Sequence, residues 1–415
     1  MTLVALLLLA TAPQRAGAST ALRRYEATGV RTSGGANPVD APDLAPGLYR
    51  DTYAQAGAPY EDGTAKYYRV RLRKGVTPYF SVTEAPAGRA SDKDSALRVE
   101  LSLAPVDRSV SGCEASASGT GDATGDDLDN ATAVLAPGEV GGPDWEDCPT
   151  DAVYALHVTR SGSAFTGAGL SMEIAVRLEP AGSATGSPAV GEDAKNVRGR
   201  AGGPLRVVVG GTGFGTAPLL PAGRYRDSFV TGERRYYRVH LDWGQRVAWT
   251  LTADQLPEVS DYRGTRGTVL IANPVREVVE QPDDADVEAS DLGATSGPVY
   301  GSTLVPTAWV DRRSDDDDVV PYAMDGDYYL IVSTAYPDST QLTSTVPYEL
   351  NVQILGARTQ GPTYAVDGSA VPHTGSGHRA VLVSAVIGGV VVVLVVVLVA
   401  VLLLKARRRQ RSTQT

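Results

Sequence analysis

The sequence predicts an all-β protein: two tandem antiparallel β-sandwich domains of jelly-roll-like type, followed by one C-terminal transmembrane helix. Three observations predict it. The chain repeats itself at an offset of 169 residues, as in Lys66-Tyr67-Tyr68-Arg69-Val70-Arg71-Leu72 against Arg235-Tyr236-Tyr237-Arg238-Val239-His240-Leu241. Apolar residues inside the repeated blocks alternate with period two, the pattern of strands with one buried and one wet face. Finally, Ala380 to Leu404 contains no charged residue. As a helix it would extend about 37 Å, enough to cross a ~30 Å hydrocarbon core.

The elements follow in order. Leu3 to Ala12 is apolar and precedes Ala16-Gly17-Ala18, a small-x-small cleavage site, so residues 1–18 read as a signal peptide, although its first residues include no Lys or Arg. The first domain is expected over 43–179 and the second over 205–355. Between them, 180–204 is rich in Gly, Ala and Ser and reads as a linker. Residues 356–379 read as a stalk, 380–404 as the membrane span and 405–415 as a tail. Five positive charges in that tail, from Lys405 to Arg411, mark the cytoplasmic end. The expected location is the cell membrane, with a single span and both domains outside.

Within the repeat, Tyr68, Val70 and Leu72 point one way while Tyr67, Arg69 and Arg71 point the other. The match runs without a gap from Tyr67–Val106 to Tyr236–Val275, placing Phe80 on Trp249, Val82 on Leu251 and Pro105 on Pro274. Later blocks pair Met172, Ile174, Val176 and Leu178 with Tyr348, Leu350, Val352 and Ile354. Long insertions fall at matching places, Asp107–Thr150 and Arg276–Asp325; such loops are functional or disordered.

Composition narrows the function. Net charge is −10, and more negative without the basic tail, which argues against nucleic-acid binding outside the membrane. Arg outnumbers Lys 33 to 5, as in a GC-rich bacterial genome. The two cysteines, Cys113 and Cys148, lie in an exported region without a CxxC or a nearby His, so they read as one disulfide.

The order Pro-Gly-x-Tyr-x-Asp, then Gly-x-x-x-Tyr-Tyr-x-Val-x-Leu-x-x-Gly, then Gly-x-Tyr-Tyr-Leu-x-Val, then Tyr-x-Leu-x-Val resembles the bacterial pre-peptidase C-terminal domain. In the second copy it is carried by Pro221, Gly223, Tyr225, Asp227, Gly232, Tyr236, Tyr237, Val239, Leu241, Gly244, Gly326, Tyr328, Tyr329, Leu330, Val332, Tyr348, Leu350 and Val352, with Ala222 inserted between Pro221 and Gly223. The first copy has Ala152-Val153-Tyr154-Ala155 in place of Gly-Asp-Tyr-Tyr. The resemblance covers roughly 300 residues. It implies a small β-sandwich that accompanies exported enzymes without being one, and this chain has no peptidase domain of its own.

The chemical inventory is sparse. There is no GxSxG, HExxH or isolated reactive Cys. Of the four histidines, His157 and His240 fall in strands and His373 and His378 in the stalk; no catalytic residue is expected. Gly210-Gly211-Thr212-Gly213-Phe214-Gly215 lacks the Lys-Ser/Thr of a phosphate loop and reads as a flexible lead-in loop. The acidic stretches Asp122, Asp126, Asp127 and Asp129, and Asp315, Asp316, Asp317 and Asp318, are weak candidate Ca²⁺ ligands; without EF-hand spacing such runs are more often solvated loops, and no cofactor is required. Tyr67, Tyr68, Tyr236 and Tyr237 offer either core and rim or a stacking surface for glycans.

The expected function is a non-enzymatic, membrane-anchored envelope protein that displays two β-sandwich domains to a secreted or membrane protein partner. The alternative is a cell-wall carbohydrate-binding or adhesion module. A membrane-tethered hydrolase of unrecognised type is the third possibility.

Overall fold

The computed structural model describes residues 23–53, 65–85, 95–107, 112–123, 130–161, 170–191, 194–230, 233–253, 266–282, 288–289, 298–335 and 345–364. The expected signal peptide, membrane span and basic tail lie outside these, as do stalk residues 365–379, His373, His378, Asp126, Asp127, Asp129 and the side chain of Asp122. Contacts divide the chain into Met1–Ser369 and Ala370–Thr415; every described residue belongs to the first unit. Among the described residues no helix is long and apolar enough to cross a membrane. Their regular structure is β-strand with short 3-10 turns.

The first half contains β1 (Val30–Arg31), β2 (Gly47–Tyr53), β3 (Ala65–Leu72), β4 (Val76–Ala85), β5 (Ser95–Pro105), β6 (Ala115–Ala123), β7 (Ala131–Leu135), β8 (Ala152–Ser161) and β9 (Leu170–Pro180). They form two sheets, ordered β1-β2-β9-β4-β7 and β3-β8-β5-β6. The alternation read from the sequence holds: Val70, Leu72, Leu101 and Leu156 from one sheet and Phe80, Val82, Met172 and Ile174 from the other share one buried cluster. Cys113 and Cys148 form a disulfide with Cα atoms 5.4 Å apart, both buried in that cluster beside Trp145.

The second half follows β10 (Gly182–Ser183) and contains β11 (Leu205–Val207), β12 (Gly223–Val230), β13 (Arg234–Leu241), β14 (Arg246–Ala253), β15 (Arg266–Ala272), β16 (Val278–Val279), β17 (Glu288–Ala289), β18 (Val299–Ser302), β19 (Gly326–Ala335) and β20 (Thr345–Leu355); β21 (Thr363–Tyr364) comes after it. Its sheets are ordered β11-β12-β20-β14-β18 and β13-β19-β15-β16, with β17 also on β15. Trp249, Leu251, Leu350 and Val352 meet Tyr237, Val239, Leu241 and Leu330 in a second cluster.

Two features differ from a plain antiparallel tandem. The lead-in segments add edge strands in parallel, β1 on β2 and β11 on β12, because each lead-in turns over the sandwich before its first long strand begins. The ungapped repeat also slips by one residue between β4 and β5. Tyr67, His157 and Ser102 lie in one row across the first half, and Tyr236, Ile331 and Leu270 form the corresponding row in the second. Ser102 therefore corresponds to Leu270, although Pro105 and Pro274 align in sequence at 169.

One anchor is repeated. Asp51 accepts from Gly34 N at 2.8 Å, Lys66 Nζ at 2.7 Å and Tyr68 OH at 2.8 Å. Asp227 accepts from Gly210 N and Tyr237 OH, both at 2.6 Å. Each aspartate fastens the lead-in loop to the body. The Gly210–Gly215 loop is thus held in place, with Gly211 paired to Tyr236.

The expected linker and stalk base are likewise fastened. β10 pairs with β21. Gly199 N donates to Trp249 O at 3.3 Å and Thr250 Oγ1 to Gly199 O at 2.8 Å, so the segment crosses the second half as a strap. Arg358 Nε lies 2.7 Å from Asp242 Oδ2 and Thr359 N donates to Trp243 O at 2.8 Å.

Candidate binding faces

Each sandwich presents two outward sheet faces, and these four faces have different fates. The outer face of β9 and β4 in the first half packs against the second half. Glu173, fully buried, is the centre of this seam. Its carboxylate is 2.9 Å from Arg276 Nη2, accepts from Tyr25 OH at 3.0 Å and Thr28 Oγ1 at 2.8 Å, and also accepts from Thr28 N. Burial, and then the Glu173 charge, push the Tyr25 phenol far up, so it stays a donor. Arg276 adopts φ 73°, a left-handed conformation costly for a side-chain-bearing residue. It is held there as its backbone N donates to Asn273 O, while its guanidinium sits 5.1 Å over Phe214.

A second polar centre, Glu179, binds Arg312 Nη2 at 3.1 Å and accepts from Tyr79 OH at 3.3 Å and Tyr364 OH at 2.9 Å. Between the two centres, Tyr79, Val275 and Met324 form a small apolar cluster. Both centres are buried charge pairs, and breaking one by removing a partner leaves an uncompensated buried charge.

The outer face of β13-β19-β15 is also covered. Tyr236, Ile331 and Ala272 pack with Phe214, and Tyr25 lies on the same cluster. Tyr25 meets Tyr236 edge-on at 5.9 Å. A Cβ at Gly213 would lie 2.9 Å from the Tyr25 ring, and one at Gly215 1.7 Å from Thr28 Oγ1. The glycines of this loop are therefore required by close approach.

The equivalent face of the first half, β3-β8-β5-β6, is open. Tyr67 stacks on His157 with ring centroids 4.3 Å apart. His157 Nδ1 lies 3.4 Å from Ser102 Oγ and its Nε2 3.4 Å from Thr159 Oγ1. Burial lowers its pKa, so the ring is neutral near pH 7. The Ser102–His157 contact has a hydroxyl, Thr159, where an orienting carboxylate would complete a triad. Ser116, Ser118 and Thr120 on β6 are exposed beside it, as is the Arg98–Glu100 pair. Such a face can stack, donate and accept, and has both charges.

His240 has a partner that the sequence does not signal. Its Nδ1 lies 2.9 Å from Asp327 Oδ1, which raises its pKa, against the effect of burial. The matching pair in the first half is Arg71 and Val153, so the repeat itself conceals the contact. Glu84 is fully buried, with Tyr53 and Arg160 as its polar neighbours. Burial pushes its pKa up to about 8, against the opposing pull of Tyr53 and Arg160.

Of the tyrosines considered for stacking, Tyr68, Tyr236 and Tyr237 are buried and only Tyr67 is partly exposed. Asp315–Asp318 form a turn in which Asp316 Oδ1 accepts from Asp318 N at 3.0 Å. Among the described residues no three His, Cys, Asp or Glu side chains gather as a metal site.

No family model matches the chain, and no curated protein matches it. Among solved structures, 75% of the chain is similar to PNGF-II, covering 64% of that chain at 9% identity and a TM-score of 0.20. The CUB1-EGF-CUB2 domains of human MASP-1/3 match over 73% of this chain and 99% of theirs, at 8% identity and TM-score 0.15. The tandem CBM22-1-CBM22-2 domains of Paenibacillus barcinonensis Xyn10C match over 75% and 91%, at 12% identity and TM-score 0.19. At these scores the likenesses carry no argument about what the chain does.

Proposed function

We propose that this chain is a non-enzymatic, membrane-anchored envelope protein that binds a secreted or membrane protein through the outer face of β3-β8-β5-β6. One observation carries the reading: that face is open and polar, with an aromatic stack at its centre, while its equivalent in the second half is apolar and covered. The resemblance to accessory β-sandwiches of exported enzymes fits a display role, and the uncharged run 380–404 with its basic flank supplies the anchor. The two halves belong to one compact unit, joined at the seam.

A photo-crosslinking residue at Ser118 in the full chain, in native membranes, tests the proposal. Capture of one defined protein is expected, and Tyr67→Ala with His157→Ala should reduce it about tenfold, as removal of interface anchors does. The same residue at Leu270 should capture nothing. Failure to capture at Ser118 and at two neighbouring exposed positions overturns the assignment. The Tyr67–His157 stack beside three exposed hydroxyls favours a second reading, a cell-wall glycan ligand. Retention of the chain on purified wall polysaccharide, lost in the same double variant, would select it.

A further inference from the structure

The fourth outward face, that of β11-β12-β20-β14-β18, differs in charge from the rest of the molecule. Arg224 and Arg226 project from β12, Arg246 from β14, and the strap laid across the sheet adds Lys195, Arg198 and Arg200. Among the described residues on this face Glu349 is the one carboxylate; it lies 2.9 Å from Arg224 and opposite Arg226, and the sequence of the strap adds Glu192 and Asp193, so the cations still outnumber the carboxylates. This excess of cations stands on a chain whose net charge is −10. The repeat does not supply it, because the equivalent face of the first half carries Glu173 and Glu179 and is buried in the seam.

The cations are held in place. Arg198 lies 5.3 Å over the Tyr300 ring, and Arg246 Nη2 donates to Lys195 O at 3.1 Å. Beside them runs the outermost strand of the sheet, β11, which leads to Val209. Leu205, Val207 and Val209 alternate outward on the side of Arg224 and Arg226, with Val207 85% and Val209 57% exposed. Exposed apolar residues at the rim of a basic face have no use against a soluble polyanion. Against a bilayer, they enter the interface while the cations meet lipid phosphates. Asp316, beside Gly191, bounds the face at its other end.

We propose that this face lies on the anionic surface of a lipid bilayer, a role that rests on the membrane-anchored reading and adds an orientation to it. A tether raises the local concentration of the surface, so modest affinity suffices.

The test uses the full chain with Val207→Cys carrying a polarity-sensitive dye. Cys113 and Cys148 are bonded to each other, so the label goes to one site. The chain is reconstituted in phosphatidylcholine vesicles with or without one-third phosphatidylglycerol. A blue shift is expected only with the anionic lipid, reversed by high salt. Lys195→Gln, Arg198→Gln and Arg200→Gln together should lower the docked-to-free ratio about a hundredfold, at roughly fivefold per cation, with an unchanged thermal midpoint. An absent shift, an equal shift in zwitterionic vesicles, or a shift obtained only on adding polyphosphate would each overturn the proposal; the last assigns the face to a soluble polyanion. Alkaline extraction reports the anchor separately. A chain that extracts, yet shifts when anionic vesicles are added, loses the anchor and keeps the face; a chain that resists extraction and does not shift does the reverse.

Discussion

Tyr67, His157 and Ser102 stand in one row of the first half where Tyr236, Ile331 and Leu270 stand in the second. The three strands that carry these rows pair in the same order and bury similar inward side chains, while the outward row differs. In the second half that row is apolar and lies under Phe214 and Tyr25. In the first it is polar and open. Two similar frameworks thus differ, through a few outward residues, in which face is packed internally and which is left open. The comparison teaches that the outward side chains of a repeat carry its division of labour, while the inward ones carry only the fold.

The comparison can be broken most strongly at the seam. Glu173→Ala leaves Arg276 buried without its carboxylate and should cost about 3–5 kcal/mol. Denaturant titration would measure it, and hydrogen exchange should show Tyr25 to Thr28 released first. A loss below 1 kcal/mol would mean that the halves do not depend on this contact.

The halves also differ at Glu84, which matches Ala253. The folded pKa of Glu84 is raised to about 8, so its stabilising protonated state is fully present below the unfolded value near 4.5 and is lost as pH rises through about 8. Glu84→Gln should therefore match the parent near pH 4 and exceed it by on the order of 3–4 kcal/mol above pH 8. Parallel stability curves for the two proteins across that range would refute the burial account.

Exchanging the outward rows sharpens the comparison. Leu270→Ser with Ile331→His should cost roughly 2–3 kcal/mol, because it places polar groups in a packed, covered face. Ser102→Leu with His157→Ile should change stability by less than about 0.5 kcal/mol but increase self-association in sedimentation, since it creates an exposed apolar patch. Equal costs for both exchanges would show that the two faces are equally covered.

The smallest effect belongs to His240. Its pKa is raised, first by the Asp327 hydrogen bond, so its contribution is complete below about pH 6.5 and is lost as pH rises through the folded value. The side chain is a third exposed, which limits the contribution to a few tenths of a kcal/mol. His240→Gln should flatten the stability slope between about pH 6 and 8, read from thermal midpoints.

Much of the fold was legible because inward positions alternate: Val70, Leu72, Val239 and Leu241 are buried as their period requires. The disulfide was legible from compartment and spacing. The seam was not, because Glu173, Arg276 and Tyr236 occupy outward or loop positions, and a single chain does not reveal which outward face another part of itself will cover. Arg69, on the outward side by its alternation, and its counterpart Arg238 are half-buried and paired with Asp43 and Asp327. The glycines at 213 and 215 carry a signal of close approach that a Gly-rich run does not distinguish from flexibility: their missing side chains make room for Tyr25 and Thr28. The one-residue slip at β5 was hidden by the prolines that align beyond it. The open face was partly legible in Tyr67, whereas its stack on His157 needed the pairing of β3 with β8.

The two-residue ladder between β10 and β21 has a mechanical consequence. The segment leaving the second half is clasped to the segment entering it, and Tyr364 is fastened to Glu179 of the first half. Tension arriving from the C-terminal side would load this clasp before it reached β20. The ladder would part first and pass the load to the Arg358–Asp242 and Thr359–Trp243 contacts, so two fastenings would yield before β20 and the hydrophobic core were loaded.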